Sequence, residues 1–61
     1  MAYEIQYFRQ GKQYSEVYWD EPLPDTRETA RKGLKRNHAD YAAILDLDHD
    51  GKLAETVSER A

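Results

Sequence analysis

Sixty-one residues leave room for one domain with a small core, because a chain of this size buries only about 60% of its unfolded surface. The absence of Cys excludes disulfides and thiolate metal sites. A formal net charge of −3, with a sequence pI near 5.2, argues against general binding to a phosphate backbone.

Mean hydropathy is −1.02, yet one Trp, five Tyr and one Phe accompany patterned aliphatic residues, as expected of a folded chain. No run approaches the roughly 20 apolar residues of a membrane helix. The stretch Met1-Ala2-Tyr3-Glu4-Ile5-Gln6 has neither the basic region nor the apolar core of a signal peptide. A cytoplasmic protein is the expectation.

Tyr3 to Phe8 alternates, with Tyr3, Ile5 and Tyr7 on one side and Glu4, Gln6 and Phe8 on the other. Period two with aromatic and β-branched content predicts a strand over about 3–9. Gln10-Gly11 supplies the positive φ of a hairpin turn. A second strand comes next over about 13–19, with Ser15, Val17 and Trp19 opposed to Tyr14, Glu16 and Tyr18. A two-residue and a three-residue loop pair opposite sets of these side chains, so the buried face stays open at this point.

Pro22 and Pro24 end the strand, since neither can donate to a ladder. Asp25 as N-cap, with Glu28 three residues on, predicts a helix over about 25–37. Thr26, Ala30, Gly33, Leu34 and Asn37 share one arc, and Arg31, Lys32, Lys35 and Arg36 the opposite one, with Arg27 at the boundary. The inner arc is thin, so Gly33 permits close approach to a sheet, and Leu23 adds to the seam. Asn37 is the expected left-handed closing residue.

Tyr41 to Leu45 is apolar without a break, and the acidic turn beyond it decides its structure. Asp48-His49-Asp50-Gly51 as a type I turn, with Gly51 as the left-handed bulge residue, pairs Asp48 with Lys52, Leu47 with Leu53, Leu45 with Glu55 and Ala43 with Val57. Strands over about 41–48 and 52–58 result, with Leu45, Leu47, Leu53 and Val57 on the core side. The fold class is α+β: a single ββαββ domain spanning 1–61, its two β-hairpins forming an antiparallel-type sheet packed on one helix.

Three groups of residues are candidates for function. Asp46, Asp48 and Asp50, with Gly51, occupy positions 1, 3, 5 and 6 of a calcium loop, where alternating carboxylates converge on a hard cation. Position 12 is Val57 instead of the bidentate Glu, so a solvated acidic turn is favoured over a metal site. Arg31, Lys32 and Lys35 lie on the basic helix face, a patch for an acidic partner or the polar side of an amphipathic helix. Some of Phe8, Tyr14 and Tyr18 are expected where the helix leaves the sheet uncovered, as a partner anchor, a homodimer seam or cross-strand pairs. No catalytic constellation is visible: His38 and His49 stand apart at element ends, and no cofactor motif occurs.

Phe8-Arg9-Gln10-Gly11-Lys12, Trp19 ahead of Leu23-Pro24-Asp25, Ala30 with Leu34, and the run Ala43 to Lys52 together resemble a group of small uncharacterised bacterial proteins. The resemblance implies a ββαββ domain and no activity or site residue, since its motifs are turn and core positions. The functional expectation is therefore a non-enzymatic protein-interaction module, self-associating through an uncovered sheet face. Calcium binding at the Asp46–Asp50 turn and nucleic-acid binding by the helix are the alternatives.

Overall fold

Gln10 and Gly11 both take positive φ, 46° and 81°, as a two-residue type I′ turn requires. In the computed structural model, which describes residues 1–58, this turn joins β1 (Ala2–Arg9) to β2 (Lys12–Trp19) in an unbroken antiparallel register from Arg9–Lys12 to Ala2–Trp19. Residues 59–61 of the expected domain lie outside the described residues. The short turn settles the open question of faces: Tyr3, Ile5 and Tyr7 lie beside Tyr18, Glu16 and Tyr14.

The helix α1 spans Leu23–Asn37, beginning two residues before the predicted start. Pro22 occupies the N-cap position with no side-chain cap, and Pro24 falls in the first turn, where its missing N–H costs nothing. Asp25 is thus a first-turn acid instead of the cap, favourably placed at the positive end of the helix dipole. The closing residue is His38, not Asn37: His38 is left-handed with φ 52°, and Asn37 stays helical with its Nδ2 donating to Gly33 O at 3.0 Å. The N–H groups of His38 and Ala39 return to the carbonyls of Lys35 and Leu34, a Schellman motif in which Ala39 also packs on the core.

β3 (Tyr41–Asp46) and β4 (Lys52–Ser58) form the second hairpin, and here the expected register is corrected. Asp46 pairs with Lys52 and Leu45 with Leu53, while Ile44 pairs with Glu55 and Ala42 with Val57. Two features cause the shift. The Asp46 side chain caps a single 3₁₀ turn at Leu47–His49, taking Leu47 and Asp48 out of the strand; Asp50 and Gly51 then return the chain at φ 58° and 72°. A bulge between Ile44–Glu55 and Leu45–Leu53 leaves Ala54 without an opposite residue, so Leu53 and Val57 end up on different faces.

The result is one sheet in the order β2-β1-β3-β4, all neighbours antiparallel, with α1 on one face. The buried set is Tyr3, Ile5, Tyr7, Ala42, Ile44 and Val57 from the sheet against Ala30 and Leu34 from the helix. Gly33 allows the approach: a Cβ there would lie 2.0 Å from the Tyr7 hydroxyl oxygen. Leu45, Leu47 and Leu53, expected in the core, are instead half-buried or exposed, their places taken by Ala42 and Ile44.

Candidate interaction surface

Directly opposed residues in an antiparallel sheet share a face, so the registers define what the helix-free side displays. One row across that side reads Val17, Glu4, Leu45, Leu53; the next, Ser15, Gln6, Ala43, Thr56; the last, Gln13, Phe8, Tyr41, Ser58. Trp19 lies beyond the first row, opposite Ala2. Two apolar patches flank a more polar belt. Phe8 and Tyr41 stack with ring centroids 4.7 Å apart, and Glu4 accepts a hydrogen bond from Gln6 Nε2 at 3.1 Å. Trp19 is 72% exposed and Leu53 61%. The helix α1 lies on the other side, while the 3₁₀ turn Leu47–His49 packs at the start of β1, where Ala2 is buried.

Of the three candidate aromatics, Phe8 is on the open side, while Tyr14 and Tyr18 stand on the helix side beside Tyr7 and Tyr3. Tyr18 donates to Glu16 Oε1 at 2.9 Å, and the same carboxylate receives Arg36 Nη2 at 3.1 and 3.2 Å. Burial raises the Tyr18 pKa, and the hydrogen bond to Glu16 adds to it. Tyr7 reaches beneath Gly33, where burial pushes its pKa far above the ordinary value. The charge of Glu16 adds to that rise, yet the Tyr7 hydroxyl has no hydrogen-bond partner among the described residues.

Glu55 mirrors Glu16 at the other margin of the row Glu16, Ile5, Ile44, Glu55. It takes a two-pronged contact from Arg27, through Nε and through Nη2, the latter at 2.8 Å. That contact holds the Glu55 carboxyl below its usual range. The early helix is thereby tied toward β4 and its last turn toward β2. The rise from Arg27 to Arg36, about 13 Å, is close to the sheet's width of about 14 Å between outer strands, so α1 runs across the strands.

These pairings bear on the basic helix face. Arg27 and Arg36 are engaged by sheet carboxylates, and Arg31 by Glu28 at 3.1 Å one turn earlier. Lys32 and Lys35 are exposed and have no ion pair among the described residues.

The aspartates of the second turn act as hydrogen-bond acceptors for their own loop. Asp46 Oδ1 accepts from the Asp48 N–H at 3.0 Å, and its Oδ2 lies 2.8 Å from His49 Nδ1. Asp48 Oδ2 accepts from the Ala2 N–H at 3.1 Å, tying the turn to the start of β1. The N–H of Gly51 closes the loop on Asp46 O at 2.9 Å. Asp50 is exposed, and among the described residues no three His, Asp or Glu side chains are grouped to hold one ion. His38 and His49 sit beyond opposite ends of β3.

Comparison of the chain with known protein families, curated proteins and solved structures finds no match. The surface must therefore be read from its own chemistry. Trp19, Val17, Tyr41 and Leu53 were missed as open-face residues. The signal was present for the first two, because a two-residue Gln10-Gly11 loop places them opposite the Tyr3, Ile5, Tyr7 face. For Leu53 it was absent, because the bulge at Ala54 leaves no mark in the apolar pattern.

Proposed function

We propose that this chain is a bacterial, cytoplasmic, non-enzymatic protein-interaction module, binding through the helix-free face of its sheet. The observation that supports this reading is the content of that face. Val17, Leu45 and Leu53 flank Glu4 in one row, Phe8 stacks on Tyr41 in another, and Trp19 stands at the margin. Apolar side chains left in water are stabilised by about 1.5–3 kcal/mol each when fully buried, so a matching protein surface gains from covering them. The belt of Ser15, Gln6 and Thr56 offers hydrogen-bonding groups that orient such a partner. A broad face of this kind suits another folded surface better than a small molecule, which needs a concave site. Self-association is the simplest form of the activity.

Sedimentation over a rising concentration series, on the natural chain and on Leu53→Lys and Tyr41→Lys, tests the reading. The mean mass should rise with concentration for the natural chain and stay lower for both variants at equal concentration, with far-UV circular dichroism unchanged. A chain that stays monomeric at millimolar concentration removes the self-association form. Equal association of all three proteins removes the open face as the contact.

A further inference from the structure

The sheet has two edges, and they differ. On β4 the ladder is broken by the bulge at Ala54, a feature that discourages pairing with another chain. On β2, an edge strand of the sheet, there is no bulge and no Pro. Lys12–Trp19 pairs with β1 without interruption on one side, and every one of its residues is exposed or half-exposed. The helix α1 packs mainly over β1, β3 and β4, and reaches β2 through the Arg36–Glu16 pair.

The turn fixes which backbone groups that edge presents. Arg9 and Lys12 flank a two-residue loop and so form a hydrogen-bonded pair, and the ladder alternates from there. The carbonyl of Phe8 is turned to the opposite neighbour, accepting from the Asp40 N–H at 2.8 Å, which agrees with this phase. Lys12, Tyr14, Glu16 and Tyr18 therefore spend their backbone groups on β1. Gln13, Ser15, Val17 and Trp19 point theirs outward, an unused row of donors and acceptors.

From this we infer that β2 is a pairing edge for a second copy of this chain, joined antiparallel about a two-fold axis at Ser15. The inference is independent of the open-face reading. Three alignments keep both helices on one side of the joined sheet and are short enough to weigh. Centring on Glu16 sets two carboxylates face to face across the axis, which is unfavourable. Centring on Tyr14 pairs only Lys12 through Glu16 of each copy. Centring on Ser15 pairs Lys12 through Tyr18 and keeps like charges apart: Tyr14 meets Glu16 of the second copy, Lys12 meets Tyr18, and Gln13 meets Val17. It also carries the exposed Trp19 over the Gly11 turn of the second copy, where a Cβ placed on Gly11 would meet nothing within 4 Å beyond its chain neighbours. An aromatic ring covering a glycine across strands is a favourable pair. Lys12 and Glu16 cancel within the strand, so two copies of an acidic chain meet along a neutral line. The product is an eight-stranded sheet, two copies of the four-stranded one, with its open faces continuous.

Amide hydrogen exchange at low and high protein concentration reads the pairing directly. The amides of Gln13, Ser15 and Val17 should become protected as concentration rises, whereas those of Tyr14, Glu16 and Tyr18 stay protected throughout. Ser15→Pro removes only an outward N–H, so it should keep the fold and abolish the dimer; a dimeric Ser15→Pro protein overturns the inference. Ser15→Lys and Ser15→Glu should each weaken association about tenfold, with the equimolar mixture restoring it. A mixture no tighter than its components overturns the Ser15 axis. Leu53→Lys separates the two readings: it should leave this edge pairing intact, and its loss there would assign the contact to the open face instead.

Discussion

The two faces of the sheet are made from the same strands yet are held by different physics. Under the helix, Tyr7, Ile5, Ile44, Ala42 and Val57 meet Ala30, Gly33 and Leu34 with no room for another methyl group. Across the sheet, residues one position along the same strands are half-buried or exposed, with Val17, Leu45 and Leu53 in a single row. The helix-side margins are tied down by Arg27–Glu55 and Arg36–Glu16. A domain this small has one helix to spend, so one face becomes the core and the other stays available for contact.

Paired truncations test that contrast most strongly. Ile44→Ala should cost about 2–5 kcal/mol, enough to leave much of so small a domain unfolded, whereas Leu53→Ala should change stability by no more than about 0.5 kcal/mol. Urea denaturation of the two variants measures it, and comparable losses would mean that both faces are cores. Gly33→Ala comes next. Helix propensity favours Ala by about 1 kcal/mol, but the added methyl collides with the Tyr7 ring, so a net loss of about 1–3 kcal/mol is expected. A stabilised variant would mean that the ring moves aside freely.

Gly51→Val addresses the second hairpin. At φ 72° a β-branched residue is strained by about 1–3 kcal/mol, although the space around it is open. The loss should be equal with and without calcium, since the loop's aspartates already bond to its own backbone and to Ala2. Dependence on calcium would restore the metal reading.

The smallest effect concerns the margins. Arg27 holds the Glu55 pKa down in the folded chain, so the pair's contribution is complete above the unfolded glutamate value, near pH 4.3. It is lost as pH falls through the depressed folded value, because the unfolded state then binds the proton more readily. Thermal melts of the natural chain and Glu55→Gln should converge as pH drops from neutral into that range; a gap that persists at low pH would assign the pair's effect to packing.

Local signals disclosed most of the elements. Alternation in Tyr3 to Phe8, the turn residues Gln10-Gly11, the paired prolines and the small inner arc of the helix each predicted an element to within a few residues. Element ends moved where local chemistry had two solutions. Asp25 and Pro22 compete for the helix start, and Pro24 resolves it because a proline fits the first turn. Asn37 and His38 compete for its close, and Asn37 stays helical by bonding back to Gly33. The candidate surface was only partly legible: Phe8 was placed among the open-face aromatics, but Tyr14 and Tyr18 belong to the other side.

By itself, then, the sequence determined the order ββαββ, the places of the two turns, the basic outer arc and the close approach at Gly33, all properties of neighbouring residues. The tertiary structure decided which side of each hairpin meets the helix. Tyr41 to Leu45 is apolar at every position, so its pattern has no period, and both registers of the second hairpin satisfy it equally. Only the Asp46-capped turn, its tie to Ala2 and the bulge at Ala54 choose Ala42 and Ile44 for the core, and so leave Leu45 and Leu53 to the open face. A one-residue shift exchanges the faces of a strand, and that shift is set by contacts between segments far apart in the chain.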